Sequence, residues 1–201
     1  MSSANLETRC RILDAAWRLL EQQRGSGVRM SDIARETGIS RQAVYLHFPT
    51  RAELLVALTR HIDQAKDIDG RLRASREATG GRERLGAFIE AWGNYIPEVH
   101  GVARALIAMQ DTDEAAAIAW ADRMQAMREG CEAAVRMLDE EGRLGEGWSV
   151  GEATDILWTL LSVENWEKLR EGCGWTQARY IEAMKHLAER SLMASGRSGR
   201  R

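Results

Sequence analysis

Apolar residues recur at the three- and four-residue spacing of helices along most of the chain, and no stretch reads as a strand. Ile12, Ala16, Leu19 and Leu20 make the first stripe, with Arg9, Arg11, Arg18 and Glu21 largely off it, which predicts a helix over 5–23. Arg24-Gly25-Ser26-Gly27 then reads as a loop. Residues 31–37 predict a short second helix that Gly38 stops in a left-handed cap. Ser40, whose hydroxyl can take a free backbone N–H, opens a third over 41–47, which Pro49 closes. Thr50 and Glu53 have the spacing of a capping box at the head of a fourth helix that runs towards Ile68. Beyond it the pattern predicts helices over 82–96, where Pro97 should kink or end the run, then 101–110 and 113–141. A second capping box, Ser149 to Glu152, opens a helix reaching 170, and Thr176 caps the last, to 193. The expected fold class is all-α, with about nine helices.

Composition narrows the class. A chain of 201 residues suffices for one or two domains with a core of useful size. Hydrophobic residues at 44% and charged ones at 29% are ordinary for a folded globular protein. No apolar run approaches the ~18 residues of a membrane span, so no membrane association is expected. The opening Met-Ser-Ser-Ala-Asn-Leu-Glu-Thr-Arg lacks the apolar stretch of a secretory signal. Cys10, Cys131 and Cys173 are odd in number and far apart, with no Cys-x-x-Cys. That speaks against a disulfide framework or zinc site and for a reducing, cytoplasmic setting. The chain has neither the Glu-x-x-His pairs nor the activated nucleophile of a helical-bundle enzyme, so no catalytic residue, metal or cofactor is expected. Charge is unevenly placed: residues 1–61 hold nine arginines against six acidic residues, and the remainder 19 basic against 24 acidic. A basic end on an acidic body suits an anionic polymer touched at one end.

Segment 31–48 carries the clearest chemistry. Ile33, Ala34, Ile39, Val44 and Phe48 are its apolar positions, which leaves Arg41, Gln42 and Tyr45 pointing outward. Polar residues exposed near the start of a short helix, after a tight turn, are what a helix-turn-helix inserts into the major groove. A plain helical hairpin has the same pattern. In a groove, Arg41 can pair with guanine O6 and N7 and Gln42 with adenine N6 and N7, each giving about 1–3 kcal/mol of discrimination.

The ordered set Ile12-Leu13-Asp14-Ala15-Ala16, Asp32-Ile33-Ala34, Gly38-Ile39-Ser40, Tyr45-Leu46-His47-Phe48 and Leu54-Leu55 resembles the DNA-binding domain of TetR-family transcriptional regulators, at the family's spacings. The resemblance implies a helix-turn-helix domain over 1–50 and a ligand-binding and dimerisation domain over 51–194, while the Ser/Gly/Arg composition of 195–201 reads as a disordered tail. It implies a homodimeric repressor of double-stranded operator DNA, released by a small-molecule effector. An activator or a ligand-independent regulator would share the pattern. Carried over by position, Arg41 and Gln42 fall on base-contacting positions, and Tyr45 on one that meets phosphate and at times a thymine methyl. His47 falls on a phosphate contact, as does Arg51, where the family usually has lysine at the head of the fourth helix. Ser31, Ser40 and Ala43 complete the expected DNA-binding set. The chain departs from the family at Val28-Arg29, where Ser or Thr is common, and at Arg24, which precedes a displaced glycine.

Six of the seven tryptophans lie outside residues 1–50. Trp92, Tyr95 and Ile96 cluster near the end of the fifth predicted helix, and Trp120, Met124 and Met127 follow one face of the seventh. With Trp158 they are candidates to line a cavity for an apolar or aromatic effector, although such a stripe serves equally to pack a core. Ile156, Leu160 and Val163, with Ile181, Met184 and Leu187, resemble the family's dimerising helix pair, two helices from each chain. A two-fold dimer would hold its reading helices about 34–36 Å apart and call for a pseudo-palindromic operator. The fourth helix is the expected lever between the two parts.

Overall fold

The computed structural model describes residues 3–23 and 28–194, so the loop 24–27 and the expected tail 195–201 lie outside the described residues. Among the described residues the chain forms ten α-helices and one π-helical turn, with an isolated bridge between Leu144 and Met193 and no strand. The helices are α1 Ser3–Gln23, α2 Met30–Thr37, α3 Arg41–His47, α4 Arg51–Ala65, α5 Ile68–Glu77, α6 Gly81–Met109, α7 Glu114–Glu140, α8 Val150–Leu160, α9 Val163–Glu167 and α10 Gln177–Leu192. The π-helical turn, Lys168–Gly172, follows α9 directly. No helix among the described residues is long and apolar enough to cross a membrane.

Three elements differ from the pattern read along the sequence. The fourth helix stops at Ala65, because Asp67 takes a left-handed φ of 51°, and α5 starts immediately after it. The helix expected to end at 170 breaks after Leu160, where the Ser162 hydroxyl accepts from Asn165 N–H at 3.2 Å and caps α9. The two helices expected on either side of Pro97 are one, α6, with Pro97 inside it. Proline removes the N–H that would bond the carbonyl four residues earlier, here that of Gly93. The Gln177 amide of α10 replaces it, donating to the Gly93 carbonyl at 2.7 Å while its own oxygen accepts from Trp166 Nε1 at 3.0 Å. Gly93 also lets α10 come close, since a Cβ there would lie 2.8 Å from Ile181.

Contacts divide the chain into two compact units, one of residues up to Asp67 with Glu98–Met124, the other of Ile68–Pro97 with everything from Gln125 on. In the first unit Leu54, Leu55, Leu58 and Ile62 of α4, and Val102, Leu106 and Met109 of α6, share one core with Ile12, Ala16 and Leu20 of α1. The elements shared by both units are α6 and α7; α4, expected as the lever, belongs wholly to the first. In the second unit Leu85, Phe88, Ile89, Cys131, Val135, Leu157 and Tyr180 are buried. Arg82 grips Glu189 through two nitrogens, at 3.0 and 2.7 Å, and Lys185 meets Glu90 at 2.6 Å, so α10 is clasped to α6.

Candidate nucleic-acid interface

The turn between α2 and α3 is built from local chemistry. Gly38 adopts φ 69° and its N–H reaches back to the carbonyls of Ala34 and Arg35, closing α2. Ser40 then caps α3, its hydroxyl accepting from Ala43 N–H at 3.1 Å. At the head of α2 stands Arg29, which makes no side-chain capping bond; half of a capping box remains, with Asp32 accepting from Arg29 N–H at 3.4 Å. The absence of Ser or Thr before the second helix thus has a visible structural effect.

Two arginines of α1 secure the far ends of both short helices. Arg9 donates to the His47 carbonyl at 2.8 Å, with its guanidinium 4.1 Å from the centre of the Phe48 ring. Arg11 donates to the Thr37 carbonyl at 2.8 Å. Each supplies positive charge and a hydrogen bond where the helix dipole is negative.

With Val44 and Phe48 buried at 0% and 1% exposure, α3 has one inward face, and the other is open to solvent. Arg41 and Gln42 are exposed, and Tyr45 is 36% exposed. Arg41 donates to the Tyr45 hydroxyl at 3.3 Å, and its guanidinium lies 5.4 Å from the ring centre, so the two form one stripe. Ser31 and Ser40 are exposed too, Ser40 with its hydroxyl engaged in the cap, while Ala43 and His47 are half-buried.

Arg51, at the head of α4, has protein partners: its Nε donates to the Val28 carbonyl at 2.8 Å and its Nη1 bonds the Asp113 carboxylate. Asp113 is also the cap of α7, accepting from Ala115 N–H at 3.1 Å and Ala116 N–H at 3.3 Å. Sequence reading also passed over Leu46, which is 86% exposed on the open face of α3, four residues after Gln42. That spacing on a seven-residue helix, with Val44 and Phe48 already taken as its inner face, is the signal that marks it.

The effector candidates are dispersed. Trp92 and Tyr95 come together, with ring centres 5.9 Å apart and tilted 47°, and Trp92 Nε1 donates to the Leu161 carbonyl at 2.8 Å. Ile96 is fully buried. Met127 is buried with its sulfur 3.9 Å from that of Cys131. Trp158 is half-buried in the second unit, whereas Trp120 and Met124 belong to the first, where Trp120 packs on the core around α1. Of the dimer candidates, Ile156 and Leu187 are exposed at 39% and 43%, and Leu160 and Ile181 are half-buried. Val163 and Met184 face inward at 2% and 3%, so their stripes already serve the chain's own core.

Comparison with known proteins agrees with this arrangement. Residues 12–58 match the model of the bacterial regulatory proteins of the tetR family. The HTH-type transcriptional activator FasR of Mycolicibacterium smegmatis is 34% identical over 91 residues, 45% of this chain and 41% of that protein. The chain therefore spans less than half the length of that relative. The HTH-type transcriptional regulator CymR of Pseudomonas putida is 27% identical over 164 residues, 78% of this chain and 75% of that one. Among solved structures, a protein of Saccharomonospora viridis described as a transcriptional regulator, in complex with choline, is similar in fold. It has a TM-score of 0.72 at 20% identity, over 94% of this chain and 99% of that one.

Proposed function

We propose that this chain, whose residues 12–58 match the model of the bacterial regulatory proteins of the tetR family, is a cytoplasmic, homodimeric repressor of transcription that a small apolar or aromatic ligand releases from a pseudo-palindromic operator. The observation that carries the reading is the division of labour on α3: Val44 and Phe48 hold the helix to its core while Arg41, Gln42 and Tyr45 stand clear of it. Arg41 meets a guanine edge, Gln42 an adenine edge, and Tyr45 the sugar-phosphate backbone. Ser31, Ser40, Ala43 and His47 border the same contact. Arg51 borders it as well, its guanidinium anchored by the Val28 carbonyl and the Asp113 carboxylate. Trp92, Tyr95, Ile96, Met127 and Trp158 form the body from which an effector site is drawn, and the choline held by the similarly folded Saccharomonospora viridis protein supports a small-molecule site. A ligand that favours a dimer with the wrong separation of reading helices lowers operator affinity by its differential affinity, typically about 1–3 kcal/mol.

The test is a mobility shift on duplexes selected from a random pool by the wild-type protein. Arg41→Ala and Tyr45→Ala together should abolish the selective shift and leave a weaker, salt-sensitive one. Selective binding that survives the double variant would refute the assignment. The activator reading has one observation in its favour, the similarity to FasR. A reporter carrying the selected site decides it: deletion of the regulator raises expression under repression and lowers it under activation.

A further inference from the structure

We propose that Leu46 reads thymine, covering the C5 methyl of one thymine in each half-site. The inference rests on the reading of α3 as the DNA-contacting helix. Leu46 is 86% exposed, more than any other large apolar side chain among the described residues, the next being Leu6 at 56%. The helix cannot roll to hide it, because Val44 and Phe48 are buried at 0% and 1% and the Arg9 guanidinium holds the His47 carbonyl.

Position tells what covers it. Residues four apart share a helix face, so Gln42 and Leu46 form one outward stripe beside the Arg41–Tyr45 stripe. The open face of α3 therefore presents two polar groups near its start and an aromatic and an aliphatic group one turn later. Phosphate oxygens and purine edges would lose water to a leucine and gain no hydrogen bond in return. The thymine methyl is the major-groove group that an aliphatic side chain covers with gain. Four residues rise about 6 Å along a helix, close to two base-pair steps, so the thymine lies within about two base pairs of the base that Gln42 meets.

Deoxyuridine differs from thymidine by that methyl alone. The experiment takes the duplex selected by the full-length wild-type protein and replaces its thymines by deoxyuridine, one symmetric pair at a time. One pair of positions should weaken wild-type binding by about three- to tenfold per half-site. At that pair Leu46→Ala should bind the thymine and uracil duplexes alike, while Leu46→Met, of similar reach, should keep the preference. The proposal is overturned if Leu46→Ala retains full sensitivity at every methyl, or if wild-type binding ignores every replacement. A pool that yields no duplex overturns the reading of α3 and this proposal with it. A selected duplex whose methyl sensitivity is independent of residue 46 overturns this one alone.

Discussion

Tyr180 is fully buried, and its hydroxyl meets no hydrogen-bond partner among the described residues. Burial pushes its pKa up, so the group stays protonated and neutral. A buried hydroxyl left unpaired costs about 1–3 kcal/mol, so Tyr180→Phe should raise the free energy of unfolding by about 1 kcal/mol in urea titrations. A loss of stability would show that the hydroxyl is bonded in solution. Asp113 has the opposite character. Burial acts to raise its pKa, but the bond and charge of Arg51, with the N–H groups of Ala116 and Ala115, outweigh it and hold the carboxyl below the usual range. A carboxyl depressed in the folded state stabilises above its unfolded pKa of about 4, and that contribution fades as pH falls through the folded value. Asp113→Asn should therefore cost about 1–2 kcal/mol near neutral pH, with the deficit against wild type shrinking on acidification below about pH 4. A deficit independent of pH would rule out the ion pair as its cause. The same pair explains what was illegible in the charge count: Asp113 lies 62 residues from Arg51, and nothing local turns that arginine inward.

Helices whose ends are set locally were readable. Ser40, Thr50, Ser149 and Thr176 each accept the backbone N–H three residues on, as the sequence spacing requires. Helix α6 was not readable, because its continuity across Pro97 depends on an amide 80 positions later, that of Gln177. Gln177→Ala should leave the Gly93 carbonyl and the Trp166 N–H without this partner and cost about 1–3 kcal/mol. In a Pro97→Ala background the restored N–H serves the Gly93 carbonyl directly, so part of that cost should vanish in a double-mutant cycle of urea midpoints. Additive losses would mean that the Gln177 bond does not compensate for the proline. Ser162 escaped notice for a related reason, since the apolar stripe from Ile156 through Leu160 to Val163 runs straight across the break.

At the scale of the whole molecule, the exposed apolar residues of α8 and α10 bear on assembly. Ile156 and Leu187 are exposed where the family resemblance expects a dimer face. Ile156→Glu combined with Leu187→Glu should convert a dimer to a monomer in sedimentation, with the helical signal retained. A dimer that survives both changes would place the interface elsewhere. Val163 and Met184 are unsuited to this test, since charging them would break the core. Helical periodicity revealed these stripes but not which members turn inward, because that choice belongs to neighbouring helices remote in sequence. The arginine clasps of α1 have a mechanical corollary. Because Arg9 and Arg11 fasten the trailing ends of α3 and α2, the three helices form a cassette without an internal hinge at those ends. Removing the Arg9 guanidinium should therefore loosen the trailing end of α3 against α1 without changing any residue on the open face of α3.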